Sequence, residues 1–242
     1  MKPPNLSSKV YLDIKYMLMT LSFPPGTQIR EQLVADKLGV SRTPVREAFQ
    51  RLAHEGWLQI GQGKRVIVSP VTVKDIDDIF QLRMLLEPYA LEETFRKEQS
   101  RMLAGELDRL LNIMQQVKVD RVAFAQLDMD FHALLMQNAD NKRLTRFWKN
   151  LHEETSRIAI MTLQNGDGGS DRRTPYVVQE HIEILNSLWD KDLSHSLNAL
   201  NKHLINSKNA LFEKMGVPLD TYGEVSKSTN IIDLNTILSQ LK

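Results

Sequence analysis

Four side chains in the second half of the chain, Asp128, His132, His181 and His203, are of the types that hold a divalent metal. Asp128 and His132 stand four residues apart, so on a helix both project from one face. His181 and His203 fall in separate apolar-periodic stretches, and each would come from a helix of its own. Three imidazoles and one carboxylate bind Zn²⁺, Ni²⁺, Fe²⁺ or Mn²⁺ with coordination positions left open. An open position suits the carboxylate of a small organic acid. It equally suits hydrolysis or oxidation, for which Glu180 beside His181 is the one local candidate base, and the metal could also simply brace the fold. Spacing alone leaves these three alternatives open. Asp130, two residues from His132, faces another side of the helix and reads as a surface charge.

The elements that must position these residues are helices. Apolar residues recur every three to four positions over about 73–98, 100–117, 120–138, 142–164, 174–190 and 192–215, and no run there alternates with period two. Six helices of this size predict an all-α bundle. Met84, Leu85, Leu127, Leu135, Ile158 and Ile184 read as core and pocket wall, and Trp148 and Trp189 as core. Residues 165–170 form a glycine-rich loop. Residues 216–242 form a polar tail in which 231–238 could make a short helix that packs on a partner subunit. Arg83 has two roles open to it: its fork could clamp an effector carboxylate above the metal, or it could pair with Glu87 one turn on.

The first 70 residues follow a different plan. Leu6, Val10, Ile14, Met17, Leu18 and Leu21 predict one amphipathic helix, ended by Phe23-Pro24-Pro25-Gly26. A second short helix runs from about Glu31 to Leu38 with Leu33, Val34 and Leu38 inward, and Gly39 as its cap. Ser41 caps a third, with Pro44 tolerated in its first turn. Val45, Ala48, Phe49 and Leu52 lie on one side of that helix and Thr43, Arg46, Glu47 and Gln50 on the other. Trp57–Ile60 and Val66–Val68 have strand composition around a turn at Gly61–Arg65. This is the plan of a winged helix-turn-helix, whose second helix enters the DNA major groove at its N-terminal end. Arg30, Ser41, Arg42, Thr43, Pro44 and Arg46 are the candidate DNA contacts there, with Gly63 and Lys64 in the wing.

The charge supports that division. The whole chain of 242 residues carries a net of only +1, yet residues 1–70 hold ten Lys/Arg against five Asp/Glu, and the rest is net acidic. With no cysteine, disulfides, thiolate metal sites and a cysteine nucleophile are excluded. No secretory signal opens the chain and no stretch of 18 uncharged apolar residues occurs, so a cytoplasmic protein without a membrane span is expected.

The run from Pro25-Gly26-Thr27 through Leu33–Leu38 and Ser41-Arg42-Thr43-Pro44-Val45-Arg46-Glu47-Ala48 to Glu55-Gly56-Trp57-Leu58 resembles the GntR family of bacterial repressors. The family's wing usually reads Gly-Arg-Gly; here it is Gly61-Gln62-Gly63, with an arginine displaced to Arg65. Residues 75–215 resemble the FCD effector domain of the FadR-type subfamily, through Leu82-Arg83-Met84-Leu85-Leu86-Glu87, Asp128/His132, Glu180-His181 and His203. The resemblance implies a metal on Asp128, His132, His181 and His203, with Arg83 toward a small organic-acid effector. It implies a homodimeric regulator, a repressor, that reads an inverted repeat in double-stranded DNA. His195 stands where that subfamily has small residues, and His54 and His152 are likewise outside the set. The expected organisation is a winged helix-turn-helix over 1–70, a helical effector, metal-binding and dimerisation domain over 75–215, and a tail over 216–242.

Overall fold

The architecture comes from a computed structural model that describes residues 6–117, 120–163 and 173–217. The loop expected at 165–170 and the short helix expected at 231–238 lie outside the described residues. In chain order the elements are α1 (Leu6–Met19), β1 (Gln28–Ile29), α2 (Glu31–Leu38), α3 (Arg42–His54), β2 (Leu58–Ile60), β3 (Val66–Val68), α4 (Val73–Arg96), α5 (Ser100–Gln116), α6 (Arg121–Asn138), α7 (Lys142–Leu163), α8 (Thr174–Trp189) and α9 (Leu193–Lys214).

The N-terminal core forms where the periodicity places it. Val10, Ile14 and Leu18 of α1 meet Val45, Phe49 and Leu52 of α3, and Trp57, Val66 and Val68 close the cluster. Gly39 adopts a left-handed backbone (φ 65°), which a side chain would strain, and so ends α2. Ser41 then starts α3 from extended backbone, but its side chain makes no capping bond and stays exposed. The strands form an antiparallel sheet in the order β1-β3-β2, with Ile29 opposite Val66 and Leu58 opposite Val68. Strand β1 is absent from the sequence expectation, since two residues carry no alternation to read.

Thr72 starts α4 with a capping box: its hydroxyl accepts from Asp75 N–H, and Asp75 Oδ2 accepts from Thr72 N–H. The helices from α4 to α9 then share one core, in which Phe80, Leu91, Leu103, Leu107, Phe124, Phe131, Leu200 and Phe212 are buried. This is the expected mainly-α fold, a winged helix-turn-helix joined to an all-α bundle.

Three apolar assignments are corrected. Leu33 is 64% exposed, because eight-residue α2 buries only its Val34/Ala35 side. Leu85 is 56% exposed, because Arg83 and Glu87 take the inner face of α4 and turn Leu85 outward with Leu82 and Tyr89. Trp189 is also exposed, at 41%: it ends α8 one residue past the buried Leu188.

The two parts of the chain touch along α7. Lys15 is buried, and its Nζ reaches Glu55, the residue that caps α3, at 2.9 Å and Glu153 of α7 at 2.5 Å. One turn along α7, Arg157 donates from Nη2 to the Ser69 carbonyl at 2.6 Å and lies over the Trp57 ring. Leu21, just past α1, joins the core of the helical bundle.

Candidate metal centre and DNA-facing surface

The bundle brings the four ligand candidates together. Asp128 and His132 come from α6, His181 from α8 and His203 from α9. One ligand atom of each lies within 4.8 Å of all the others. His132, His181 and His203 are at most 1% exposed, while Asp128 is half-buried. His132 is inward because Met129, Leu135 and Met136 bury the same side of α6. The Phe131 ring stacks on His181, centroids 4.0 Å apart and planes 7° from parallel, which fixes that imidazole's plane.

Two carboxylates orient the cluster. Glu87 Oε2 lies 2.7 Å from His132 Nδ1, and Glu180 Oε2 lies 2.9 Å from His203 Nδ1. Burial pushes the Glu87 carboxyl up, but Arg83 and His132 outweigh it and hold it at about 2. At Glu180 burial also acts upward, and His203 and Arg173 bring that carboxyl to about 2. Both groups are therefore ionised and accept only, so His132 and His203 each donate from Nδ1.

The consequence falls on the other ring nitrogens. His132 Nε2 and His203 Nε2 stand 3.1 Å apart. Burial pushes His132 down, favouring its neutral form. With Nδ1 protonated, the neutral His132 ring offers only a lone pair at Nε2, and that lone pair is directed at His203 Nε2. His181, pushed well below the usual histidine range by burial and the neighbouring imidazoles, has both ring nitrogens buried without a hydrogen-bond partner. Its Nε2 is 3.4 Å from Asp128 Oδ1, a buried oxygen that accepts no hydrogen bond. Orphaned buried polar atoms call for an explanation. A single cation supplies one, since bonds of roughly 2.0–2.2 Å from nitrogen and oxygen put two ligands of one ion about 3 Å apart. The donor set fits a borderline divalent metal.

Of the two roles open to Arg83, the ion pair with Glu87 is formed. Arg83 Nε donates to Glu87 Oε1 at 2.6 Å, with both side chains buried, so the pair holds His132 through Glu87. Arg83 Nη2 is buried and unpartnered, and the residue lines a cavity of about 30 Å³ with Asp128, Phe80, Thr155 and Arg173. That volume takes about one water rather than an organic acid. Glu180 is not a free base: it accepts from both Arg173 nitrogens at 3.0 and 2.7 Å and from Asn206 at 2.8 Å, besides its bond to His203. Asp130 accepts from Gln126 on the outer face of α6, apart from the cluster. The positioning residues Glu87, Arg173 and Phe131 escape the sequence reading. Only Glu87 carries a signal, its i+4 spacing from Arg83.

At the other end, Ser41, Arg42, Thr43 and Arg46 are exposed together at the start of α3, and Arg30 is exposed just before α2. Pro44 does not share that surface: it is buried in the first turn of α3. Glu31 of α2 gathers the arginines, accepting from Arg46 Nη2 at 3.0 Å and Arg42 Nη2 at 3.2 Å. This pre-orients the guanidiniums, another role that sequence alone leaves hidden. In the wing Gly63 is exposed with φ 70°, and the Lys64 side chain lies outside the described residues.

Comparison with known proteins gives the same two parts. Residues 6–68 match the family described as bacterial regulatory proteins, gntR family, and residues 78–206 match the FCD domain. An uncharacterized HTH-type transcriptional regulator, YdhC of Bacillus subtilis, is 29% identical over 79% of this chain and 84% of its own length. The gluconate operon transcriptional repressor of the same organism is 26% identical over 81% of this chain and 80% of its own. Among solved structures, E. coli McbR/YncC superposes with a TM-score of 0.71 at 20% identity, covering 88% of this chain and all of that one.

Proposed function

Because the chain belongs to the GntR family of bacterial regulators and carries an FCD domain, we propose that this DNA-binding transcriptional regulator is a homodimeric repressor holding a divalent metal and answering to a small organic acid. Residues 1–70 read DNA, 75–215 bind metal and effector and pair the protomers, and 216–242 form a tail. A two-fold protein reads a two-fold site, hence an inverted repeat. No described helix is long and apolar enough to cross a membrane, and work on DNA puts the protein in the cytoplasm.

The carrying observation is the pair of facing nitrogens, His132 Nε2 and His203 Nε2, whose Nδ1 partners are ionised carboxylates. Asp128, His132, His181 and His203 would hold the ion, which is Zn²⁺, Ni²⁺, Fe²⁺ or Mn²⁺ by the chemistry of imidazole and carboxylate. When bound, the metal supplies a positive centre for an anionic effector. Arg83 Nη2 is the protein's own donor toward it. With this helix packing the adjoining cavity is too small for such an effector, so binding must displace a wall.

Thr155, Ile158 and Ala159 of α7 line that cavity, while Glu153 and Arg157 of the same helix grip the DNA-reading part. Displacing α7 therefore moves the winged helix-turn-helix. Couplings of this kind are typically about 1–3 kcal/mol, or roughly 5- to 150-fold in affinity.

The test is binding to DNA from the regulator's own promoter region, with the protein metal-free, metal-loaded, and metal-loaded with a panel of small acids. A change in operator affinity on adding one acid, lost in His132→Ala, supports the proposal. Equal affinity under every condition contradicts it.

A further inference from the structure

A second cleft opens on the opposite side of α6 from the metal cluster. Ala133 and Gln137 of α6 face Arg146, Trp148, Lys149 and His152 of α7 across about 690 Å³, the size of a metabolite site. At its inner wall two polar atoms are unsatisfied. Trp148 is 3% exposed, and its indole Nε1, which can only donate, is buried without an acceptor. His152 Nδ1 is buried and equally without a partner, and burial favours that ring's neutral form. A buried indole N–H ordinarily finds an acceptor.

The charges around the cleft are unevenly used. Of its two acids, Asp140 lies 3.7 Å from Lys97, while Asp130 accepts from the neutral amide of Gln126. Lys142, Arg146 and Lys149 are exposed on the α7 side, and none has an ion pair among the described residues. The cleft thus combines exposed cations at the rim with an unsatisfied donor, the Trp148 indole N–H, buried in the residues of its wall. What satisfies both is an oxyanion. On its far side the Trp148 ring lies 5.9 Å from the Arg83 guanidinium carbon, so it separates this cleft from the residue that braces His132 through Glu87.

We propose that the α6/α7 cleft is a second ligand site, separate from the metal, which takes a small carboxylate- or phosphate-bearing metabolite whose oxygens accept from Trp148 Nε1–H beneath Arg146 and Lys149. The site does not depend on the metal reading, and its test uses full-length protein stripped of metal and then dialysed free of chelator.

The three tryptophans, Trp57, Trp148 and Trp189, give three indole signals in ¹⁵N-tryptophan-labelled protein. Trp148→Phe identifies the signal of interest. If that variant does not fold, Trp189→Phe and Trp57→Phe identify it by elimination. Succinate and inorganic phosphate are titrated separately, which distinguishes the two sources of oxyanion. The expected result is a saturable shift of the Trp148 signal with one of them while the other two signals hold still. The double variant Arg146→Ala/Lys149→Ala, altered only at exposed positions, should weaken that binding by about tenfold or more. No movement of the Trp148 signal with either probe overturns the proposal. So does a drift of all three signals together, or an unchanged affinity in the double variant.

Discussion

The two ends of this molecule use charged side chains in opposite ways. At the start of α3, Arg42 and Arg46 are about half exposed, and Glu31 gathers them without burying them. In the bundle, Arg83 and Glu87 are within 3% of complete burial and hold an imidazole that is fully buried. The first arrangement leaves cations free to meet a polyanion. The second sets which ring nitrogen of His132 donates and where the other one points. Exposed pairs are worth little to stability and much to recognition, whereas buried ones are costly to break.

The largest expected effect breaks the buried side of that contrast. Glu87→Ala leaves Arg83 and His132 without their shared carboxylate, and should cost about 3–5 kcal/mol in chemical denaturation. Glu31→Ala at the exposed end should cost less than about 1 kcal/mol in the same experiment. Comparable losses in the two variants would erase the distinction. Next in size is metal removal. An ion at roughly 100 times its dissociation constant stabilises by about 2.7 kcal/mol, so chelation should lower the bundle's melting temperature, with no such effect in His181→Ala. Arg46→Ala should then weaken operator binding by about 1–3 kcal/mol if it reads a base, with melting nearly unchanged. An equal loss on every DNA sequence would make it a phosphate contact instead. Smallest is Glu153→Ala, which removes the α7 partner of Lys15 but leaves Glu55. It should cost about 1 kcal/mol or less in stability while reducing the response of DNA binding to ligand.

The same contrast explains what could be read from the sequence. The exposed cluster at the start of α3 was legible because it is local: Ser41, Arg42, Thr43 and Arg46 fall within six positions that begin one helix. Pro44 was misplaced because a contiguous motif does not reveal which of its members turns inward. The helices were legible from periodicity almost to their ends, and the i, i+4 spacing put Asp128 and His132 on one face. Bringing His181 and His203 to that face takes two more helices; the residue types suggested the grouping, and the family resemblance strengthened it. The carboxylates behind the imidazoles were hidden for the same reason. Glu87 lies 45 residues from His132 and Glu180 lies 23 from His203, and no local pattern records such a meeting. Leu85 and Trp189 had apolar types and helical spacing but outward positions, because the charged network of Arg83 and Glu87 displaced one and the end of α8 released the other.

The central claim is that the bundle is built around an ion. It is tested most directly by metal content per chain, measured after equilibration with Zn²⁺, Ni²⁺, Fe²⁺ or Mn²⁺ and extensive dialysis, in the wild type and in His132→Ala. The account predicts one tightly retained ion per chain in the wild type and its loss in the variant, with the helical content of the two alike. A wild type that retains no ion, or a His132→Ala variant that keeps a full complement, would contradict it.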